Sequence, residues 1–149
     1  MRTHLYLQDK IAINSLSMVA EDHAESKSSA QQIYNIIRTR LLNPNTNPAN
    51  LLPLVYVLDS ILKNVKGKYV EIFEQDAADW MPIVHRRLQE PQRVKFQKVW
   101  KTWSDFHLFS PESLRAMGRC FDDRMSGKAI GSNLTTVAGI SRTVSLFFL

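Results

Sequence analysis

The chain has few of the residues that metal and redox sites require. It holds one cysteine, Cys120, and four histidines in 149 residues. A single thiol excludes an internal disulfide and a cysteine-based zinc site, and it is typical of a reducing compartment. The histidines are scattered, and none has a partner at a zinc-ligand spacing. We therefore expect no metal and no cofactor.

Catalytic motifs are also missing. No GxGxxG, GxxxxGK[ST] or GxSxG pattern occurs, so nothing predicts a dinucleotide site, a P-loop or a hydrolase nucleophile elbow. The pairs Asp76/Asp79 and Glu21/Asp22 have the local spacing of helix caps and solvated turns rather than of a general acid and base. The sequence predicts a binding module, not an enzyme.

No apolar run reaches the roughly 18 residues of a membrane span, and the N-terminal MRTHLYLQDK lacks a secretory h-region. We therefore expect a soluble intracellular protein without a membrane partner. The 19 Lys and Arg residues exceed the 14 Asp and Glu residues, for a net charge of +5. This excess favours an acidic partner, such as a phosphopeptide or a nucleic acid.

What is present is helical periodicity, most clearly over residues 51–66. On a helical wheel the apolar residues of this stretch fill one broad arc, and a compact polar front consists of Tyr56, Asp59, Ser60, Lys63 and Asn64. So wide an apolar arc predicts the central helix of an all-helical domain. The polar front can also be interpreted without any binding role, as a local Asp59–Lys63 pair of about 0.2–0.5 kcal/mol that Tyr56 covers.

The same periodicity predicts further helices on both sides. They cover residues 10–21 after a short mixed start, residues 28–42 with Ser28 or Ser29 as the cap, segments 69–73 and 80–88, a helix opened by Pro91, and a closing segment capped by Ser110. Residues 125–149 contain no acid and break this rhythm. We expect them to form a disordered or weakly packed tail.

The helix after Pro91 has two distinct faces. Its large apolar residues share the arc of a core-facing stripe, and they are Phe96, Val99, Trp100 and Trp103. The other face carries Lys95, Lys98, Lys101 and Thr102. A lysine row of this kind is either a solvated surface or a place that receives phosphate.

Three stretches resemble one known family. They are LPLVYVLDSILKNVKGKYVEIF (52–73), INSLSMVAEDH (13–23) and KVWKTWSDFHLFS (98–110). They are similar to the CTD-interaction domains, or CIDs, of pre-mRNA 3′-end cleavage and transcription termination factors. The likeness covers residues 7–121 and implies a CID at 1–124. It implies a right-handed superhelix of about seven to eight helices, VHS/ENTH-like, with a truncated first helix.

The resemblance also implies a function. CIDs bind phosphorylated YSPTSPS repeats of the RNA polymerase II largest subunit, so it implies a nuclear protein that works with other cleavage or termination factors. Asp59 matches the family aspartate that meets the repeat's tyrosine hydroxyl. Lys98 aligns with an arginine that pairs with phosphate in several members, and Lys10 is what persists of the family's N-S-K-P segment. The implied site is Tyr56, Asp59, Ser60, Lys63, Asn64, Lys98 and Lys10.

Two alternatives stay open from the residues alone. One is a trafficking adaptor of the VHS/ENTH type, which would need a basic cluster or an amphipathic N-terminal helix. The other is direct RNA binding through the lysine face of the helix after Pro91, which would need exposed aromatic stacking partners.

Overall fold

The structure is a computed structural model that describes residues 2–122, with side chains described from residue 12 onward. The predicted tail, residues 125–149, lies outside the described residues. Six α-helices follow one another along the chain: α1 (Arg2–Asp22), α2 (Lys27–Leu42), α3 (Leu51–Asn64), α4 (Lys68–Arg87), α5 (Glu90–Asp105) and α6 (Pro111–Gly118). Two 3₁₀ turns, Pro48–Asn50 and Arg119–Phe121, complete the described chain. The all-α prediction is confirmed, since residues 2–122 contain no strand.

The helix count is lower than the seven to eight that the sequence predicts, because two predicted breaks do not occur. The segments 69–73 and 80–88 belong to one helix, α4, which continues through Pro82. The residues between the segments, EQDAAD, include no Gly or Pro to stop it. At the start, residues 2–9 join the predicted helix at 10–21 in α1, and again no Gly or Pro separates them.

Helix α3 is the central element, as its apolar arc predicts. It packs against α1, α2, α4 and α5. Its buried side chains are Leu51, Leu52, Val55, Val57, Leu58, Ile61 and Leu62. Because apolar burial is worth about 25 cal/mol per Å², the burial of these side chains is a large contribution to the stability of the domain.

An aromatic cluster fills the core beside α3. Phe73, which is fully buried, lies 6.1 Å from Tyr34, 5.7 Å from Trp80 and 5.2 Å from Trp103, each edge-on, and 5.5 Å from Phe109. Edge-to-face pairs at such distances add roughly 0.5–1.5 kcal/mol each to the burial of the rings. The cluster joins α2, α4, α5 and the loop before α6 into one core.

The turns between helices follow local chemistry. Ser26, rather than the predicted Ser28 or Ser29, caps α2 by accepting the Ser29 N–H, and Ser110 caps α6 as predicted. Between α3 and α4 the backbone has positive φ at Lys66 and Gly67 (60° and 55°), a conformation that suits glycine and turns the chain sharply after α3. None of the helices in residues 2–122 is long and apolar enough to cross a membrane.

Candidate functional site

Asp59 is the central polar residue of the α3 front. Its side chain is 18% exposed, so it is recessed but reaches solvent. Oδ1 accepts a hydrogen bond from the indole Nε1–H of Trp103 at 2.8 Å, across from α3 to α5. The Nζ atom of Lys63 lies 3.0 Å from Oδ1 and 3.2 Å from Oδ2. The carboxylate is thus fixed by one neutral and one cationic donor.

The Asp59–Lys63 pair is the local i,i+4 interaction that the alternative interpretation predicted. The sequence did not predict the contact with the core. Trp103 is fully buried, and a buried indole N–H needs a hydrogen-bond partner. Asp59 supplies it, so this residue has a structural role as well as a place on the polar front.

Ser60 and Asn64 also lie on the front, and Ser60 is tied to α1. The hydroxyl of Ser17, a buried residue of α1, donates to Ser60 Oγ at 2.6 Å, and Asn64 Nδ2 donates to the same oxygen at 3.1 Å. Tyr56, one turn before these residues, is half-buried and packs against the core. The five predicted α3 residues therefore form one face, in which Ser60 also anchors a neighbouring helix.

Lys98 makes no hydrogen bond or ion pair with this cluster. It is exposed on α5, as are Lys95 and Lys101, and within residues 12–122 it has no hydrogen-bond or ion-pair partner. On the apolar side of α5, Phe96, Val99 and Trp103 are buried as the sequence predicted, and the fourth predicted residue, Trp100, is half-buried against the core. The backbone of Lys10 lies in α1, but its side chain lies outside the described residues.

Phe106 is a residue of this region that the sequence analysis did not name. It ends α5, and its side chain is 56% exposed. The Lys63 Nζ atom lies 5.0 Å from the centre of its ring, a cation–π distance. An exposed aromatic ring next to a lysine and a carboxylate offers an apolar contact beside a polar one. The sequence feature that could have identified Phe106 is its position just past the end of a helix, where the helical pattern does not assign a large apolar residue to the core.

A second polar cluster lies between α2 and α4. The buried hydroxyl of Tyr34 donates to Asp76 Oδ1 and accepts the Trp80 Nε1–H at 2.8 Å, and Arg38 binds Asp76 Oδ2. Burial, followed by the neighbouring Asp76 carboxylate, raises the pKa of the Tyr34 hydroxyl above its usual range. The prediction of a cap or a solvated turn at Asp76 is wrong, because Asp76 lies inside α4 and joins it to α2.

This cluster borders an open cleft of about 580 Å³, lined by side chains of α2 and α4. The lining includes Arg38, Leu42, Asp79, Trp80 and Ile83. None of the lining residues belongs to α3 or α5, so the cleft is separate from the Asp59 face. Among the described residues, no group of three or more His, Cys, Asp or Glu side chains could hold a metal ion.

The fold and the polar front define an all-helical domain built on one central helix. Residues 3–117 match the family model described as "CID domain". The match covers most of the chain, and the chain therefore belongs to the CID family.

A curated relative agrees with this assignment. Over 108 residues the chain is 32% identical to "Polyadenylation and cleavage factor homolog 11" of Caenorhabditis elegans. The match covers 71% of this chain but 12% of the relative, so the chain spans a small part of that protein's length.

Proposed function

We propose that this chain is a binding module, without catalytic activity, that recognises phosphorylated YSPTSPS repeats of the C-terminal domain of the RNA polymerase II largest subunit. Membership of the CID family supports this class of function. The observation that carries the proposal is the partly exposed carboxylate of Asp59 on the front of α3. It matches the residue that, in the family, meets the tyrosine hydroxyl of the repeat.

The contacts of Asp59 leave room for that hydroxyl. A carboxylate has about four lone-pair positions. Among the described residues, Trp103 and Lys63 each occupy one of these positions at Oδ1, and Lys63 also occupies one at Oδ2. The remaining position on Oδ2 can accept a tyrosine O–H, and a hydrogen bond to a charged group contributes roughly 1.5–3 kcal/mol.

The peptide would lie in a turn across the faces of α1, α3 and α5. Tyr56 and Phe106 offer apolar surface for its tyrosine and proline rings. The exposed Lys98, with Lys10, Lys63 or Lys101, supplies positive charge for a phosphate. Because a lysine lacks the bidentate fork of arginine, we expect weaker phosphate dependence than in members with arginine here.

We expect modest affinity for a single repeat. Ordering a disordered peptide on a small groove consumes part of the contact energy, and many repeats restore avidity through effective concentration. The name of the relative, a polyadenylation and cleavage factor, supports a nuclear role in coupling transcription to pre-mRNA 3′-end processing and termination. Other cleavage or termination factors are the partners expected in that role.

The two alternatives are less well supported. A trafficking adaptor of the VHS/ENTH type has no support from the family match. Direct RNA binding through α5 would need exposed aromatic residues among its lysines. Phe96 and Trp103 are fully buried, and Trp100 is half-buried against the core, with its indole N–H bound to the Leu114 carbonyl. Binding of RNA to the lysine row is to be measured beside binding of the peptide.

Fluorescence anisotropy with a labelled two-repeat YSPTSPS peptide tests the proposal. The peptide is prepared with and without phosphate on the second-position serines, and in a third form with phenylalanine in place of each tyrosine. We expect the phosphorylated form to bind best. The phenylalanine form should bind about tenfold more weakly, because it lacks the hydroxyl that Asp59 accepts. If the folded chain binds none of the three peptides, the proposal is wrong.

Lys98→Ala separates the role of the phosphate from that of the tyrosine. An exposed ion pair contributes about 0.2–1 kcal/mol, so we expect up to a fivefold loss for the phosphorylated peptide and none for the unphosphorylated one. Lys27→Ala, at an exposed lysine in the first turn of α2, is the matched control and should change neither affinity. Equal losses for both peptides would contradict the assigned role of Lys98.

A further inference from the structure

The indole of Trp103 is unusually well placed to control the orientation of Asp59. The ring is fully buried, 5.2 Å from Phe73 and 5.8 Å from Phe109, edge-on to both. Close-packed interiors hold such a ring in one rotamer. Its Nε1–H therefore points in a fixed direction, and that direction ends at Asp59 Oδ1.

The other donor to Asp59 is less rigid. Lys63 carries its ammonium group on a flexible four-carbon stem, and its Nζ contacts both oxygens of the carboxylate. The carboxylate can rotate about the χ2 torsion of Asp59, which has a broad energy minimum, and the lysine ammonium group could follow that rotation. Among the side chains of residues 12–122, the indole N–H is the donor that distinguishes one oxygen from the other.

We propose that Trp103 is a positioning residue of the peptide site: it holds Oδ1 of Asp59, so that Oδ2 is the oxygen that accepts the hydroxyl of the peptide's tyrosine. This inference rests on the proposed function. Trp103 itself, being fully buried, does not touch the peptide. Its contribution is preorganisation, because a carboxylate already fixed in the bound orientation loses less freedom when the peptide docks.

The test removes the indole N–H and keeps the ring. In the chain of residues 1–149, Trp103 is replaced site-specifically by 3-benzothienylalanine, in which sulfur takes the place of the N–H, and Trp103→Phe serves as a second variant. The control is the same replacement at Trp100, whose Nε1–H donates to the backbone carbonyl of Leu114 at 3.0 Å and not to the site. Circular dichroism first establishes that each variant is folded.

Binding is then measured with the tyrosine peptide and with its phenylalanine form. We expect the Trp103 replacement to weaken the tyrosine peptide about three- to tenfold, the range of one hydrogen bond, and to leave the phenylalanine peptide unchanged. The Trp100 replacement should change neither. This pattern is one that a general loss of packing would not produce, since packing serves both peptides alike.

The outcomes separate the inference from the function on which it rests. Equal weakening of both peptides, or no weakening of either, overturns the positioning role while peptide binding by the unsubstituted chain stands. Failure of the unsubstituted chain to bind any peptide overturns both. The contact itself is checked without peptide by the indole N–H resonances of the three tryptophans. Asp59→Ala should shift the Trp103 signal most, and a signal that does not move overturns the inference.

Discussion

Tyr34→Phe removes one oxygen atom from the junction of α2 and α4 and should lower the stability of the domain measurably. The hydroxyl accepts the N–H of Trp80, which is 3% exposed, and donates to Asp76. Without it the buried indole donor has no partner among the described residues. A buried unpaired donor costs about 1–3 kcal/mol.

The loss at Asp76 should add little to this amount. Its side chain is 25% exposed, so water can replace the tyrosine hydroxyl, and it keeps the ion pair with Arg38. We therefore expect a total of about 1–3 kcal/mol, against the 5–15 kcal/mol typical of native proteins. With an m-value of about 2 kcal/mol per M, the urea midpoint should fall by roughly 0.5–1.5 M at an unchanged m-value.

The assay is urea unfolding followed by circular dichroism at 222 nm, which does not depend on the altered environment of Trp80. Tyr69→Phe is the matched control, because the Tyr69 hydroxyl donates one hydrogen bond, at 2.8 Å, to the Ala20 carbonyl. The Ala20 carbonyl still accepts the His23 N–H at 3.3 Å. The substitution therefore leaves no buried donor unpaired and should cost only about 0.5–1.5 kcal/mol. An unchanged midpoint for Tyr34→Phe, or a larger loss for Tyr69→Phe, would refute the reasoning.

Three further predictions concern α3 and the C-terminal end of the described chain. Gly118→Ala should destabilise the protein by about 1–3 kcal/mol in the same urea assay, since the new Cβ would overlap the Trp100 ring; a change below about 0.5 kcal/mol would contradict this. Burial raises the pKa of the Cys120 thiol to about 12, so iodoacetamide at pH 8 should react slowly with the folded chain and quickly with the chain unfolded in urea. Between about pH 9 and pH 12 the folded state keeps the thiol proton that the unfolded state releases, so the free energy of unfolding should fall as pH rises through this range. Asp59→Ala should lower stability by about 1–3 kcal/mol, because it leaves the Trp103 N–H unpaired, whereas Asp59→Asn keeps an acceptor and should cost less; equal losses would argue against that hydrogen bond.

The sequence predicted the central helix well because one physical signal dominates there. From Leu51 to Leu62 the apolar residues recur at the period of an α-helix, and burial largely follows that period, although Leu54 is only partly buried. The polar front was predicted from the same wheel, for the same reason. Periodicity states which way a side chain faces, and both the core and the front depend on that alone.

Helix boundaries were less predictable, because they depend on weak local preferences. Pro82 suggested the start of a new helix, yet the helix that begins at Lys68 continues through this proline to Arg87. Proline removes one backbone hydrogen bond and crowds the carbonyl four residues earlier, a cost that tertiary packing can offset. Here Trp80, Met81 and Val84 are all buried around it, and their burial favours the continuous helix.

The partners of polar atoms could not be read from the sequence at all. Asp59 and Trp103 are 44 residues apart, and Tyr34 and Asp76 are 42 apart. What could be anticipated is that a buried indole N–H needs an acceptor. Which acceptor it finds depends on how α5 lies on α3, and on how α4 lies on α2. The same limit explains why Phe106 was missed, since its exposure depends on where α5 ends.

The division of α5 into a buried and an exposed side bears on the choice between peptide and RNA. The lysines of the exposed side have positive charge, but the large aromatic residues beside them face the core, so charge and stacking surface are separated. Binding of single-stranded nucleic acid needs both together. The exposed ring of Phe106 instead lies beside Lys63 and the Asp59 carboxylate. A carboxylate repels a nucleic-acid backbone and accepts a hydroxyl, so the surface around Phe106 is better suited to the tyrosine of the proposed peptide than to a run of bases.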